Sequence, residues 1–209
     1  MIKIIKVENK DQEKEFVMFP FSLYKGCDYW VPPIISEELE SMDKEKNPVF
    51  ENAEAEFYIA KKDGVTVGRI AAMVNWVEIE EQKKNKLRFG WYDTIDDLEV
   101  SKKLLESVIE FGKKRKLEFV DGPVGFSNMD KAGLLIEGYE ELNTMITWYH
   151  YPYQKEHLKK LGFSKLAEWV EYKIKIFSAE DAPEKVKKFS KIIQQRYELK
   201  VLNFKSRKE

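Results

Sequence analysis

The chain has 209 residues, with 36 Lys+Arg against 37 Asp+Glu and a formal net charge of -1, so it carries no overall pull toward nucleic acid or an anionic membrane. Hydrophobic residues make up 43% and aromatic ones 13%, enough to fill one or two cores and too much for a disordered chain. The single cysteine, Cys27, cannot form an internal disulfide, which fits a cytoplasmic protein, and no run of about 18 apolar residues offers a membrane span.

Met1–Val7 is a short strand pattern interrupted by Lys3 and Lys6, too charged for a signal peptide. Asn9–Asp11 is a helix start, and the helical stretch to Lys25 is expected to break or kink at Pro20. Tyr29–Pro33 must be extended, since a residue before proline is pushed out of the α region. Ser36 reads as an N-cap for a helix over the acidic Glu37–Glu40.

Three strands then follow as an antiparallel meander, Ala55–Lys61, Val65–Asn75 and Leu87–Tyr92, the first pair joined by the turn Lys62-Asp63-Gly64. The clearest helix is Asp96–Lys116, with Leu98, Leu104, Leu105, Val108, Ile109 and Phe111 mostly on one side. Leu117–Val120 completes a β-α-β unit and so a right-handed crossover to a parallel strand. After a glycine-containing loop, Thr144–Tyr149 is predicted as a strand and Tyr153–Leu161 as a helix closed by Gly162. Ala167–Ile176 alternates as a last strand. Ser178–Pro183 is linker-like, followed by a helix over Pro183–Gln195 and a strand-like Lys200–Phe204.

Three stretches in this order resemble the GNAT superfamily of N-acetyltransferases. Ala60–Ile70 is similar to the family's hairpin with its Val-Gly after the turn, Lys103–Val108 to the middle of its third helix, and His157–Phe163 to the Leu-Gly-Phe ending of its fourth. Phe19–Tyr24, Trp30–Pro33, Lys46–Phe50 and Gly122–Ser127 further resemble uncharacterised bacterial GNAT-like proteins of about twice this length. The resemblance implies an α+β fold, a mixed central sheet flanked by helices, over residues 1–177. Residues 178–209 would be a linker, a helix and the start of a second lobe, the chain being either a shortened relative or a fragment. A second copy of the chain or that further lobe is then the expected protein partner, beside a small-molecule ligand or substrate; nucleic acid and membrane are not expected.

The function implied is transfer of an acyl group from a thioester, acetyl-CoA or another acyl-CoA, to an amine. The alternative is a non-catalytic GNAT-like module that binds a ligand or partner and has a degenerate CoA site. In the family the cofactor pyrophosphate sits at the mouth of the third helix on a glycine-containing turn. Asp93–Ser101 holds no glycine and four carboxylates. Asp96 or Asp97 is expected to cap the helix itself, and each carboxylate near a phosphate costs about 1 kcal/mol at 4 Å even in water. The standard pyrophosphate loop is therefore absent. Phe89, Gly90 and Trp91, where strand splaying would admit the pantetheine arm, and Lys102 and Lys103, which could offset the acids, are the cofactor-side candidates.

The family's general acid is a tyrosine on the fourth helix, but Leu158 stands at that position. His157, Tyr153 and Tyr149 are the catalytic candidates in its place, against the plainer reading of a helix-end histidine. Glu56, Asp93 and Glu137 are available as acceptor-side carboxylates. The loop with Ser127, Asn128 and Asp130, together with Trp148, Tyr149, His150, Tyr151 and Tyr153, is the substrate-binding candidate; the competing reading is that these aromatics fill a core or dock the second lobe. No metal-ligand spacing occurs, so no metal is expected.

Overall fold

The computed structural model describes residues 1–127, 129–175, 178–200 and 202–206, and the chain divides into two compact units, Met1–Trp169 and Val170–Glu209. In the first unit, β1 (Ile2–Lys6) leads into α1 (Lys10–Leu23) and α2 (Ile35–Met42). The strands β2 (Ala53–Lys62), β3 (Val65–Asn75) and β4 (Lys86–Thr94) follow, with a short α3 (Trp76–Glu80) between the last two. Then come α4 (Leu98–Lys114), β5 (Phe119–Asp121) and α5 (Pro152–Lys160).

The sheet order is β1-β2-β3-β4-β5. The first four strands are antiparallel neighbours, and α4 carries the chain across to β5, which pairs parallel with β4. The fold is thus α+β with a mixed central sheet, in the element order that the GNAT resemblance implies as far as α5. The β2–β3 turn works because Asp63 and Gly64 both take left-handed conformations (φ 51° and 85°), which matches the twist of a two-residue hairpin.

Alternation along β3 builds two cores. Ile70, Ala72 and Val74 join Val100, Leu104, Leu105, Val108 and Phe111 of α4. Ala71 and Met73 join Phe16 and Val17 of α1 on the opposite face. Each fully buried Val, Leu, Ile, Met or Phe among them contributes about 1.5–3 kcal/mol. A bulge in β4 then decides which core its later residues meet. Ala71 pairs with Gly90 but Arg69 with Asp93, and Trp91 adopts φ 47°. The extra residue reverses the parity of the strand. Trp91 and Asp93 consequently face α1, while Tyr92 faces α4 through a bond to Ser101.

Several expectations are corrected. The first helix runs unbroken through Pro20. A proline removes the N–H owed to the carbonyl four residues earlier, and Arg69 Nη1 supplies that bond to the Phe16 oxygen (3.1 Å). α2 begins one residue before Ser36, with Ile34 as its N-cap and no side-chain cap. Thr144–Tyr149 forms no strand, because β5 is only three residues long and offers no edge of matching length. Residues 167–175 are not a strand either; Ile176 lies outside the described residues.

In the second unit Ser178 and Asp181 cap one another's backbone ahead of α6 (Glu184–Arg196). Of the strand expected over residues 200–204, Val201 lies outside the described residues and the others are not in a strand. No helix among the described residues is long and apolar enough to cross a membrane.

Candidate active site

A cleft of about 490 Å³ opens in the first unit on the α1 face of the sheet. One wall is the segment after α1, with Tyr29, Trp30, Pro32 and Pro33, and the other is Met145, Trp148 and Tyr149. Both walls are extended or irregular chain. Two prolines force the first out of helix, and the second is tied at Ala132 N to Ile146 O (3.1 Å) and at Asn143 Nδ2 to Trp148 O (3.2 Å).

The floor is charged. Arg69 of β3 and Asp93 of β4 are 3% and 6% exposed, and the bulge at Trp91 is what turns Asp93 toward them. Arg69 Nε donates to Asp93 Oδ2 (2.8 Å), and the Tyr24 hydroxyl donates to Oδ1 (2.7 Å). Both carboxylate oxygens are therefore held. Burial, and then the neighbouring Asp93 charge, push the Tyr24 phenol well above its usual range, so Tyr24 stays a neutral donor. Arg69, with Nε on Asp93, Nη1 on the Phe16 oxygen and its guanidinium over the Phe16 ring, makes no side-chain hydrogen bond through Nη2 among the described residues, and the residue belongs to the cleft lining. Glu37, Glu38 and Lys131 stand at the rim, and Glu38 accepts a bond from Trp91 Nε1 (2.7 Å). The lining thus holds three carboxylates and two cations.

Beside this floor lies His150, 1% exposed. Complete burial pulls its imidazole down to about 4, against a smaller upward pull from Asp93, so the ring is neutral at pH 7. Its Nδ1 accepts a bond from Leu135 N (3.4 Å).

The residues singled out by sequence are distributed over several places. Tyr149 lines the cleft and Tyr151 packs on Tyr24, ring centroids 5.1 Å apart. Trp91 and Gly90 lie behind the walls. A Cβ on Gly90 would stand 2.5 Å from the Val124 oxygen and 3.2 Å from the Trp148 ring. Phe89 belongs to the core on the α4 face. His157 points to that opposite side, 5% exposed and bonded to Ser101 and Asp96, while Tyr153 lies at the β4 edge, donating to the Thr94 oxygen and stacked on Tyr151. Lys102 and Lys103 both pair with Glu99.

Ser127 and Asp130 bond to each other, Asp130 Oδ2 accepting from Ser127 N at 2.8 Å, and are not part of the cleft lining; Asn128 lies outside the described residues. Among the acceptor-side acids, Glu56 is engaged by Tyr58 and Lys6, Glu137 is exposed, and Asp93 alone of the three stands in the cleft. Arg69 and Tyr24 were not singled out by sequence as site residues. The one available signal was a charge at Arg69 inside the apolar run Val67–Val74.

The neighbouring strands β4 and β5 share only a short ladder. The two strands pair over Lys86–Arg88 and Phe119–Asp121 only, and the chain then stays against β4 through Val124 N on Phe89 O (2.8 Å). Beyond that point the outer edge of β4 meets α5: Gln154 Nε2 donates to Tyr92 O (3.1 Å) and the Tyr153 hydroxyl to Thr94 O (2.7 Å).

No protein-family model matches the chain. It is 32% identical over 167 residues to Protein YghO of Escherichia coli, covering 78% of this chain and 43% of that protein. It is 24% identical over 174 residues to a bacterial ceramide synthase of Caulobacter vibrioides, covering 82% of this chain and 45% of that protein. The chain therefore spans less than half the length of both curated relatives. Among solved structures, a predicted acetyltransferase with acetyl-CoA from Clostridium acetobutylicum superposes with a TM-score of 0.49 at 12% identity, over 83% of this chain and 96% of that one.

Proposed function

We propose that this chain is part of a GNAT-type N-acyltransferase and that the cleft over Arg69 and Asp93 seats its acceptor, an amine on a long apolar body. The observation that carries this is the pairing of a buried, doubly held carboxylate with walls of Trp30, Pro32, Pro33, Met145 and Trp148. With three carboxylates against two cations, the lining favours a positively charged head, and Asp93 at its floor is the group an ammonium meets last. Arg69 Nη2 is left to donate to an oxygen on the same head. The aromatic and proline walls take the hydrocarbon.

The relatedness to a protein named a ceramide synthase supports the same reading, since a ceramide is an N-acylated long-chain amino alcohol. In the reaction the bound ammonium first gives one proton to solvent, the freed amine nitrogen forms the new C–N bond, the thioester C–S bond breaks, and the second proton ends on the departing sulfur. Asp93 holds and orients the amine. The one free cysteine suits the cytoplasm.

A second reading is favoured by α5, whose Tyr153 and Gln154 occupy the β4 edge: a ligand-binding module with no donor chemistry of its own. Calorimetric titration with a long-chain amino alcohol, followed by an acyl-transfer assay on the same protein, separates the two. Saturable binding that falls tenfold or more in Asp93→Asn, about 1.4 kcal/mol, together with amide product supports the acyltransferase. Binding without product supports the module. No binding contradicts both.

A further inference from the structure

The mouth of α4 is filled by the chain's own groups. Asp97 Oδ1 accepts from Glu99 N (3.0 Å). The Asp97 backbone oxygen accepts from Val100 N (3.1 Å) and Ser101 N (3.3 Å). Its other carboxylate oxygen pairs with Lys62 (3.0 Å). Lys102 and Lys103 both turn to Glu99 (3.9 and 3.7 Å). The three nearby cations are thus matched by Asp97 and Glu99, and Asp96 adds a further carboxylate.

The wall beneath the mouth is equally committed. Ser101 Oγ turns inward to His157 Nδ1 (2.9 Å), the Tyr92 hydroxyl (2.9 Å) and Thr94 Oγ1 (3.2 Å), while His157 Nε2 bonds Asp96 (3.1 Å). A diphosphate placed here would have to displace the Asp97 side-chain cap. It would also break the Lys62 pair and approach Asp96, while Lys62, Lys102 and Lys103 are already paired to the chain's own carboxylates.

We infer that this unit gives no seat to the nucleotide of an acyl-CoA, so that an acyl thioester lacking the nucleotide, on a bare pantetheine arm, binds it as well as the CoA thioester does. The inference rests on the acyltransferase reading for the thioester, but not for the nucleotide. The discriminating residues are Asp96, Asp97 and His157. They act by occupying the mouth.

Two titrations of the full chain decide it. In the first, adenosine 3′,5′-bisphosphate, the nucleotide end of CoA, is followed by amide NMR. The inference expects no saturable shifts at Glu99, Val100 or Ser101; saturation there with a Kd below about 1 mM overturns it. In the second, acyl-pantetheine and acyl-CoA carrying the same acyl group are compared by calorimetry. Affinities within about threefold support the inference, and a CoA thioester tighter by about tenfold or more overturns it. If neither thioester binds, the acyltransferase reading fails, and the nucleotide titration still decides the inference.

Discussion

Arg69 donates to the backbone oxygen of Phe16, the acceptor that Pro20 cannot serve within its own helix. One guanidinium thereby joins β3 to α1 and at the same time fixes Asp93. The arrangement is costly to break because both charges are buried. Replacing Arg69 by Met is expected to destabilise the chain by about 3–5 kcal/mol in urea unfolding, the range for removing one partner of a buried pair. Adding Asp93→Leu to that variant is expected to restore part of the loss, because no charge is then left alone.

Replacing Pro20 by Ala tests the other end of the same bond. An interior proline ordinarily costs a helix about 3 kcal/mol. Here the orphaned oxygen already has a donor, so the gain in stability is expected to fall well short of that figure. A gain of the full amount in the same unfolding measurement would show that the Arg69 bond contributes little.

His150 gives a pH dependence of definite sign. Its folded-state value is lowered to about 4 from an ordinary 6.5, so between these values the unfolded chain binds a proton that the folded chain does not. Stability is full above pH 6.5 and falls as pH drops toward 4, by about 3 kcal/mol at the bottom of the window. Unfolding curves at pH 7.5 and 4.5 are expected to differ less in His150→Asn than in the parent, since the carboxylates titrate alike in both.

Gly90 is the close approach on which the second wall depends. With the Val124 oxygen 2.5 Å from where a Cβ would stand, Gly90→Ala must push the chain after β5 away from β4. The expected cost is about 1–3 kcal/mol, the range for overpacking, with tryptophan fluorescence changing as Trp148 moves. Gly138→Ala serves as the comparison for strain alone. It has a positive φ of 78° but nothing within 4 Å of the added carbon.

The parts of the fold legible in sequence were those set by local chemistry. Lys62-Asp63-Gly64 specified its hairpin, the apolar stripe of Leu104, Leu105 and Val108 specified α4, and Gly162 closed α5 at φ 91°. Asp97 capped α4, one of the two acids that could. The cleft was legible only in fragments. Asp93 could be named as an acid near the strand end, but nothing in its neighbours revealed the left-handed Trp91 that sets the face it occupies. Arg69 matters through a proline 49 positions earlier in the chain, and that relation exists only once β3 lies against α1. The strand patterns at Thr144–Tyr149 and Ala167–Ile176 misled because alternation states a preference for a sheet without supplying a partner strand.

The most direct measurement of the central claim is photolabelling of the full chain by a long-chain amine that carries a diazirine near the end of its hydrocarbon. The acceptor-cleft account predicts crosslinks on Trp30–Pro33 and on Met145–Trp148, competed by the unmodified amine and lost in Asp93→Asn while that variant keeps the parent's circular dichroism. Labelling confined to other parts of the chain, or labelling of these walls that is indifferent to Asp93, would contradict it.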